Sequence, residues 1–169
     1  MLGNSRCASG AEHHISHLIE MQPEGLAVKS DALHGEKVGV GTLITSEQYH
    51  RIKSDKNFEW TDYREAGVDY IKDFFGKKLS NAIIEENSKD CATGIKARTI
   101  TDNRNAICDI INTIPTYDEL IKHYEILGAK SKLTDIGVSQ KKFDTLIEYA
   151  PLVRNRLTLL RLCRGMNRK

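Results

Sequence analysis

Long apolar runs are missing from this chain of 169 residues. None approaches the roughly 20 residues that a membrane-spanning helix needs. The opening stretch MLGNSRCASGAEHH has no apolar segment of the kind that leads a secretory signal. Cysteine is sparse, and Cys7, Cys91, Cys108 and Cys163 form no C-x-x-C pair. That excludes the zinc-ribbon and dithiol redox signatures. It leaves four small apolar residues, expected to be buried, in a reduced and cytoplasmic setting. Charge of one sign is not in excess either: 25 Lys+Arg stand against 23 Asp+Glu, a net charge of +2. Composition therefore gives no reason to expect nucleic acid or a membrane surface as partner. A strand followed by a glycine-rich phosphate loop is lacking too. Gly39-Val-Gly41 falls inside an expected helix and is no dinucleotide fingerprint.

What is present is helical spacing. Hydrophobic residues make up 40% of the chain and charged ones 28%, the balance of a globular protein. Ser9-Gly-Ala-Glu12 reads as a capping box. It opens a helix to Met21, with Pro23-Glu-Gly25 as the stop. A second helix is expected from Leu33 to Lys53. It carries Gly35, Gly39 and Gly41, each costing up to about 1 kcal/mol in a helix interior, so something should pack closely on that backbone. Thr61 is expected to cap DYREAGVDYIKDFF, with Trp60 as a hydrophobic staple, and LSNAIIEEN forms a further helix. Ile107, Ile110, Ile111 and Ile114 share helical spacing up to Pro115. Thr116-Tyr-Asp-Glu119 is a second capping box, for a helix ending at Leu127 and Gly128. Ser139 caps QKKFDTLIEYA. After Pro151 a last helix, VRNRLTLLRLCRG, should turn Val153, Leu157 and Leu160 inward, with arginine stems covering its edges. The whole reads as a single all-α domain, residues 1–169, of about seven or eight helices.

The histidines carry the chemistry. His13, His14, His17 and His34 crowd into the first 34 residues, against only His50 and His123 beyond. His13 and His17 are four apart and share one face of the first helix. His34 sits in Leu-His-Gly-Glu at the entry to the second. The connection from Gln22 to Ala32 is long enough to fold the two helices side by side and bring His13 to His34. Imidazole suits zinc and neighbouring divalent metals. His14, turned about 100° from His13, reads as a surface or supporting residue. Glu12 and Glu36 read as helix caps or as acceptors orienting the ligand rings, with the cap preferred for Glu12.

GNSRCASGAEHHISHLIEM followed by ALHGEKVGVGTL resembles the sn-glycerol-1-phosphate dehydrogenase family, which is related to glycerol dehydrogenase and 3-dehydroquinate synthase. The ending YAPLVRNRLTLL resembles that family's closing segment. The resemblance implies the helical C-terminal domain of the dehydroquinate synthase-like, iron-containing alcohol dehydrogenase fold. It makes His13 and His34 metal ligands, for zinc or alternatively nickel, and His17 a catalytic residue facing substrate. Arg6 becomes a substrate-anion residue, and Lys37 a substrate-site residue or a surface lysine. The reaction implied interconverts dihydroxyacetone phosphate and sn-glycerol 1-phosphate with NAD(P)H, a step toward glycerophospholipids, in an enzyme expected to be a homo-oligomer when complete. The family's NAD(P)-binding half and its acidic third ligand have no counterpart in this sequence. This chain alone is therefore expected to be inactive, and a separate chain could supply the other half. Two alternatives stay open: a 3-dehydroquinate synthase-like lyase half, disfavoured by Gly10 where that family would place Asn, and a non-catalytic helical remnant or interaction module.

Overall fold

The computed structural model describes residues 10–55 and 59–167. Among them the chain is all α, as expected. Its helices are α1 (Ala11–Met21), α2 (His34–Ser54), α3 (Val68–Glu86), α4 (Ala97–Asp102), α5 (Arg104–Asn112), α6 (Tyr117–Leu127), α7 (Phe143–Tyr149) and α8 (Leu159–Leu162). Two strands of two residues, β1 (Glu59–Trp60) and β2 (Met166–Asn167), pair antiparallel and tie the end of the chain back to its middle.

The helix α1 buries Ala11, Ile15, Leu18 and Ile19 and leaves His13, His17 and Glu20 on its other side. It packs chiefly on α2 and on the turn of 3-10 helix at Ala150–Val153. The close packing expected of the α2 glycines is real at one of them. A Cβ on Gly41 would lie 2.7 Å from the backbone oxygen of Glu12, whereas Gly35 has nothing within 4 Å. Gly41 thus sets how closely α1 and α2 approach.

Several elements follow their sequence signals. The α6 capping box forms as expected: Glu119 N–H donates to Thr116 Oγ1, and Thr116 N–H donates to Glu119 Oε2. Gly128 ends that helix at φ 61°. Ser139 Oγ accepts from Lys141 N–H ahead of α7. At α1, Ser9 lies outside the described residues, and the cap residue is Gly10, whose N–H donates to Glu12 Oε1 at 2.9 Å.

Other expectations are corrected. Thr61 caps no helix, since α3 begins only at Val68. Its N–H instead donates to Gly165 O, and Trp60 belongs to β1 rather than to a staple. The two helices expected over residues 61–87 do form, apart from that later start: α3 consists of two helical stretches that meet at a kink at Gly76, at φ 70°, a conformation that side chains with a Cβ resist. The last basic helix is also broken. Residues 154–157 are non-helical, Thr158 caps the single-turn α8, and Leu157 is exposed while Val153 and Leu160 are buried. Arg161 is not an edge residue but wholly buried, ion-paired to Asp90. Cys91 is exposed, and Cys108 and Cys163 are half-buried, so the chain does not use them as core residues. Cys7 lies outside the described residues.

Candidate metal centre

Three imidazoles converge where the polar face of α1 meets the first residue of α2. The ring centres of His13 and His34 are 5.6 Å apart, those of His17 and His34 5.5 Å, and those of His13 and His17 6.2 Å. The helical period puts His13 above His17. The packing at Gly41 and the α1–α2 connection then bring His34 to them from 17 residues or more along the chain.

Each ring has a carboxylate on its Nδ1. His13 Nδ1 lies 2.9 Å from Glu12 Oε1. His34 Nδ1 lies 2.9 Å from Glu20 Oε1, with Ser16 Oγ at 3.4 Å, and His17 Nδ1 lies 3.2 Å from Glu20 Oε2. An ionised carboxylate only accepts, so in a neutral ring the proton belongs on Nδ1 and the lone pair on Nε2. Burial would raise the Glu12 carboxyl, but the hydrogen bonds from His13 and from the Gly10 backbone hold it below the usual range. Glu20 balances in the same way. Burial pushes it up, while hydrogen bonds from His34 and His17 and the charge of Lys37 bring it down.

Glu12 therefore does both things considered for it, capping α1 and orienting His13. Glu36 only caps. It accepts from the Leu33 N–H and pairs with Lys130 at 2.9 Å, touching no histidine. Lys37 is no surface lysine: it is 7% exposed, and its Nζ sits 3.8 Å from Glu20 Oε1. Arg6 lies outside the described residues.

His14 departs furthest from expectation. It is wholly buried, and neither ring nitrogen has a hydrogen-bond partner. Burial first, then the positive charges of Arg156 and Arg161, push its pKa down to about 4.

Sequence reasoning missed Glu20. The signal was available, because residues 13, 17 and 20 follow the i, i+4, i+7 spacing of one helix face. His17, Glu20 and His34 each offer a ligand atom, all within 4.8 Å of one another. On either side of the imidazoles a cleft opens. One, of about 400 Å³, runs beside His13 between α2 and Pro115. The other, of about 380 Å³, runs beside His17 and Glu20, with Ile83, Val153 and Arg154 on its walls.

Comparison with known proteins finds relatives along nearly the whole chain. It is 53% identical over 162 residues to a protein named glycerol-1-phosphate dehydrogenase [NAD(P)+] from Geobacillus thermodenitrificans, a match covering 95% of this chain and 33% of the relative. Proteins of the same name from Halalkalibacterium halodurans and Bacillus subtilis are 28% and 27% identical over 165 and 163 residues. Those two matches cover 95% of this chain, and 33% and 31% of the relatives. The chain thus spans about a third of the length of the curated relatives it matches. No family model and no solved structure matches it.

Proposed function

Because the chain belongs to the glycerol-1-phosphate dehydrogenase family, we propose that it is the metal-carrying helical part of such an oxidoreductase. The observation that carries this reading is the convergence of His13 and His34, each with its Nδ1 on a carboxylate. That is the donor set and support that a zinc or nickel ion takes from protein imidazoles.

In this reading His13 and His34 hold the metal, and a carboxylate from elsewhere in the complete enzyme is the third ligand. When bound, a divalent ion supplies Lewis acidity at the C2 oxygen of dihydroxyacetone phosphate or glycerol 1-phosphate. NAD(P)H, which would be held by the rest of the enzyme rather than by residues described here, would supply the hydride. His17 takes or returns the proton of the C2 hydroxyl at its Nε2, with Nδ1–H anchored on Glu20. Lys37 and the N-terminus of α2 add positive potential beside His34, which favours an anionic substrate. Arg154, on the wall of the cleft beside His17, has the planar fork that grips phosphate oxygens. The same arrangement could serve a synthase, but the relatives matched over 95% of the chain carry the dehydrogenase name, and the dehydrogenase reading is preferred. We assign the chain to the cytoplasm, and the complete enzyme to a homo-oligomer.

The test is calorimetric titration of the purified chain with zinc and nickel, alone and mixed with the nucleotide-binding part of a related dehydrogenase. NADH oxidation by dihydroxyacetone phosphate is followed in the same mixtures. Metal binding that tightens on mixing, with activity appearing, supports a working part-enzyme. No metal bound and no activity after mixing would leave an interaction module as the better description.

A further inference from the structure

Glu20 is shared between two imidazoles. One oxygen lies 2.9 Å from His34 Nδ1 and the other 3.2 Å from His17 Nδ1. The ammonium of Lys37, itself almost fully buried, stands 3.8 Å from the first oxygen. We propose that Glu20 is a positioning residue: a carboxylate clamp that fixes His17 and His34 in one tautomer and so presents both Nε2 lone pairs to the reacting side. The proposal rests on the ligand and proton-transfer roles assigned above, and it says what makes them possible.

Three observations lead there. First, both Glu20 oxygens are engaged by ring N–H groups, so the carboxylate acts on the rings from behind rather than competing for the ion. Second, His34 needs outside support. It is the first residue of α2, its side chain is half exposed, and its remaining Nδ1 neighbour is a hydroxyl at the long distance of 3.4 Å. A ring so placed turns and changes tautomer freely unless a strong acceptor holds it. Third, the buried Lys37 ammonium stands beside the same carboxylate, so Glu20 is ringed by groups that can only donate to it or offer it an N–H. Glu12 does the same for His13. Glu20 differs in coupling the proposed metal ligand to the proposed proton carrier: any shift of its carboxylate moves both.

The test reads the ring nitrogens directly, without substrate or cofactor. Long-range proton–nitrogen correlation spectra of the full chain are recorded at about pH 8, above the ordinary imidazole range. His17 and His34 are expected to carry the proton on Nδ1 and none on Nε2. In Glu20→Gln, His34 is expected to move toward the Nε2–H tautomer. Cobalt(II) affinity, followed in the same samples by visible absorption, should then fall by roughly 10–100-fold, and Glu20→Asp should recover part of both. Nε2–H tautomers in the unmodified chain would overturn the clamp, and this outcome needs no variant to fold. So would a Glu20→Gln protein with unchanged tautomers and unchanged cobalt affinity. If the tautomers behave as expected but the unmodified chain takes up no cobalt even when mixed with the nucleotide-binding part of a related dehydrogenase, the clamp stands and the ligand assignment falls.

Discussion

Arg161 and Asp90 meet at 2.8 Å with both side chains shut away from solvent. The guanidinium also donates to Asn87 Oδ1 and to the carbonyls of Pro151 and Arg154. Asp90 accepts from Tyr63 Oη and from the Ala92 N–H. Burial, and then that bond to Asp90, push the Tyr63 phenol up to about 12. One ion pair thus fastens the end of α3, the turn after Pro151 and the closing segment together. Removing one partner leaves the other charged and buried, which costs about 3–5 kcal/mol. Asp90→Ala and Arg161→Ala should each lower the urea midpoint by that equivalent. A loss below about 1 kcal/mol would mean the pair contributes no more than an exposed one does.

The neighbouring histidines should separate cleanly in metal binding. His13→Ala and His34→Ala are each expected to remove most zinc affinity in a calorimetric titration. His14→Ala should leave that affinity intact and instead lose stability, since His14 faces the interior. His17→Ala should keep the metal but impair turnover in the reconstituted enzyme. Equal metal loss from the variants of His13, His14 and His34, or a metal-free His17→Ala protein, contradicts the assignment.

Much of this arrangement could be read from the sequence, for local reasons. The α6 capping box is a bond pattern within four residues, and the His13–His17 pairing is a helical period. His34 opening α2 follows from the Leu-His-Gly-Glu context. What escaped notice was what the rest of the chain decides. The inward turn of His14, the burial of Arg161 and the grip of Lys37 on Glu20 depend on segments distant in the chain. Lysine and arginine are usually exposed and histidine intermediate, so residue type gave no sign of this burial. The late start of α3 has a similar cause: Thr61 N–H is held by the Gly165 carbonyl and Tyr63 N–H by the Ile95 carbonyl.

The α1–α2 contact makes opposite predictions for two glycines. In Gly41→Ala the new methyl meets the Glu12 backbone at 2.7 Å, and backbone cannot swing aside as a side chain can. The helices must separate, at a cost of about 1–3 kcal/mol, and His34 must move away from His13. Weaker metal binding should therefore accompany the lower denaturation midpoint. Gly35→Ala adds its methyl to open space and gains up to about 1 kcal/mol of helix propensity. It should be neutral or stabilising in the same denaturation measurement. Equal destabilisation by both would show that close approach at Gly41 is not what positions the two rings.

His14 should make folding sensitive to acid. Its pKa falls from the ordinary 6.5 in the unfolded chain to about 4 in the folded one. Between those values the unfolded state holds a proton that the folded state refuses, so stability rises with pH through this window. The contribution is complete above about pH 6.5 and is progressively lost toward pH 4. At about 1.36 kcal/mol per pH unit the loss approaches roughly 3 kcal/mol. Glu12 and Glu20, held below the ordinary range, lose their own contribution as pH falls through their folded pKa values, which adds to the decline at its acid end. His14→Leu removes the first effect and leaves the second. Urea midpoints measured from about pH 7 to pH 4.5 should fall steeply for the unmodified chain and more shallowly for His14→Leu. Parallel slopes would mean that His14 is protonated in the folded protein and reaches solvent or a partner.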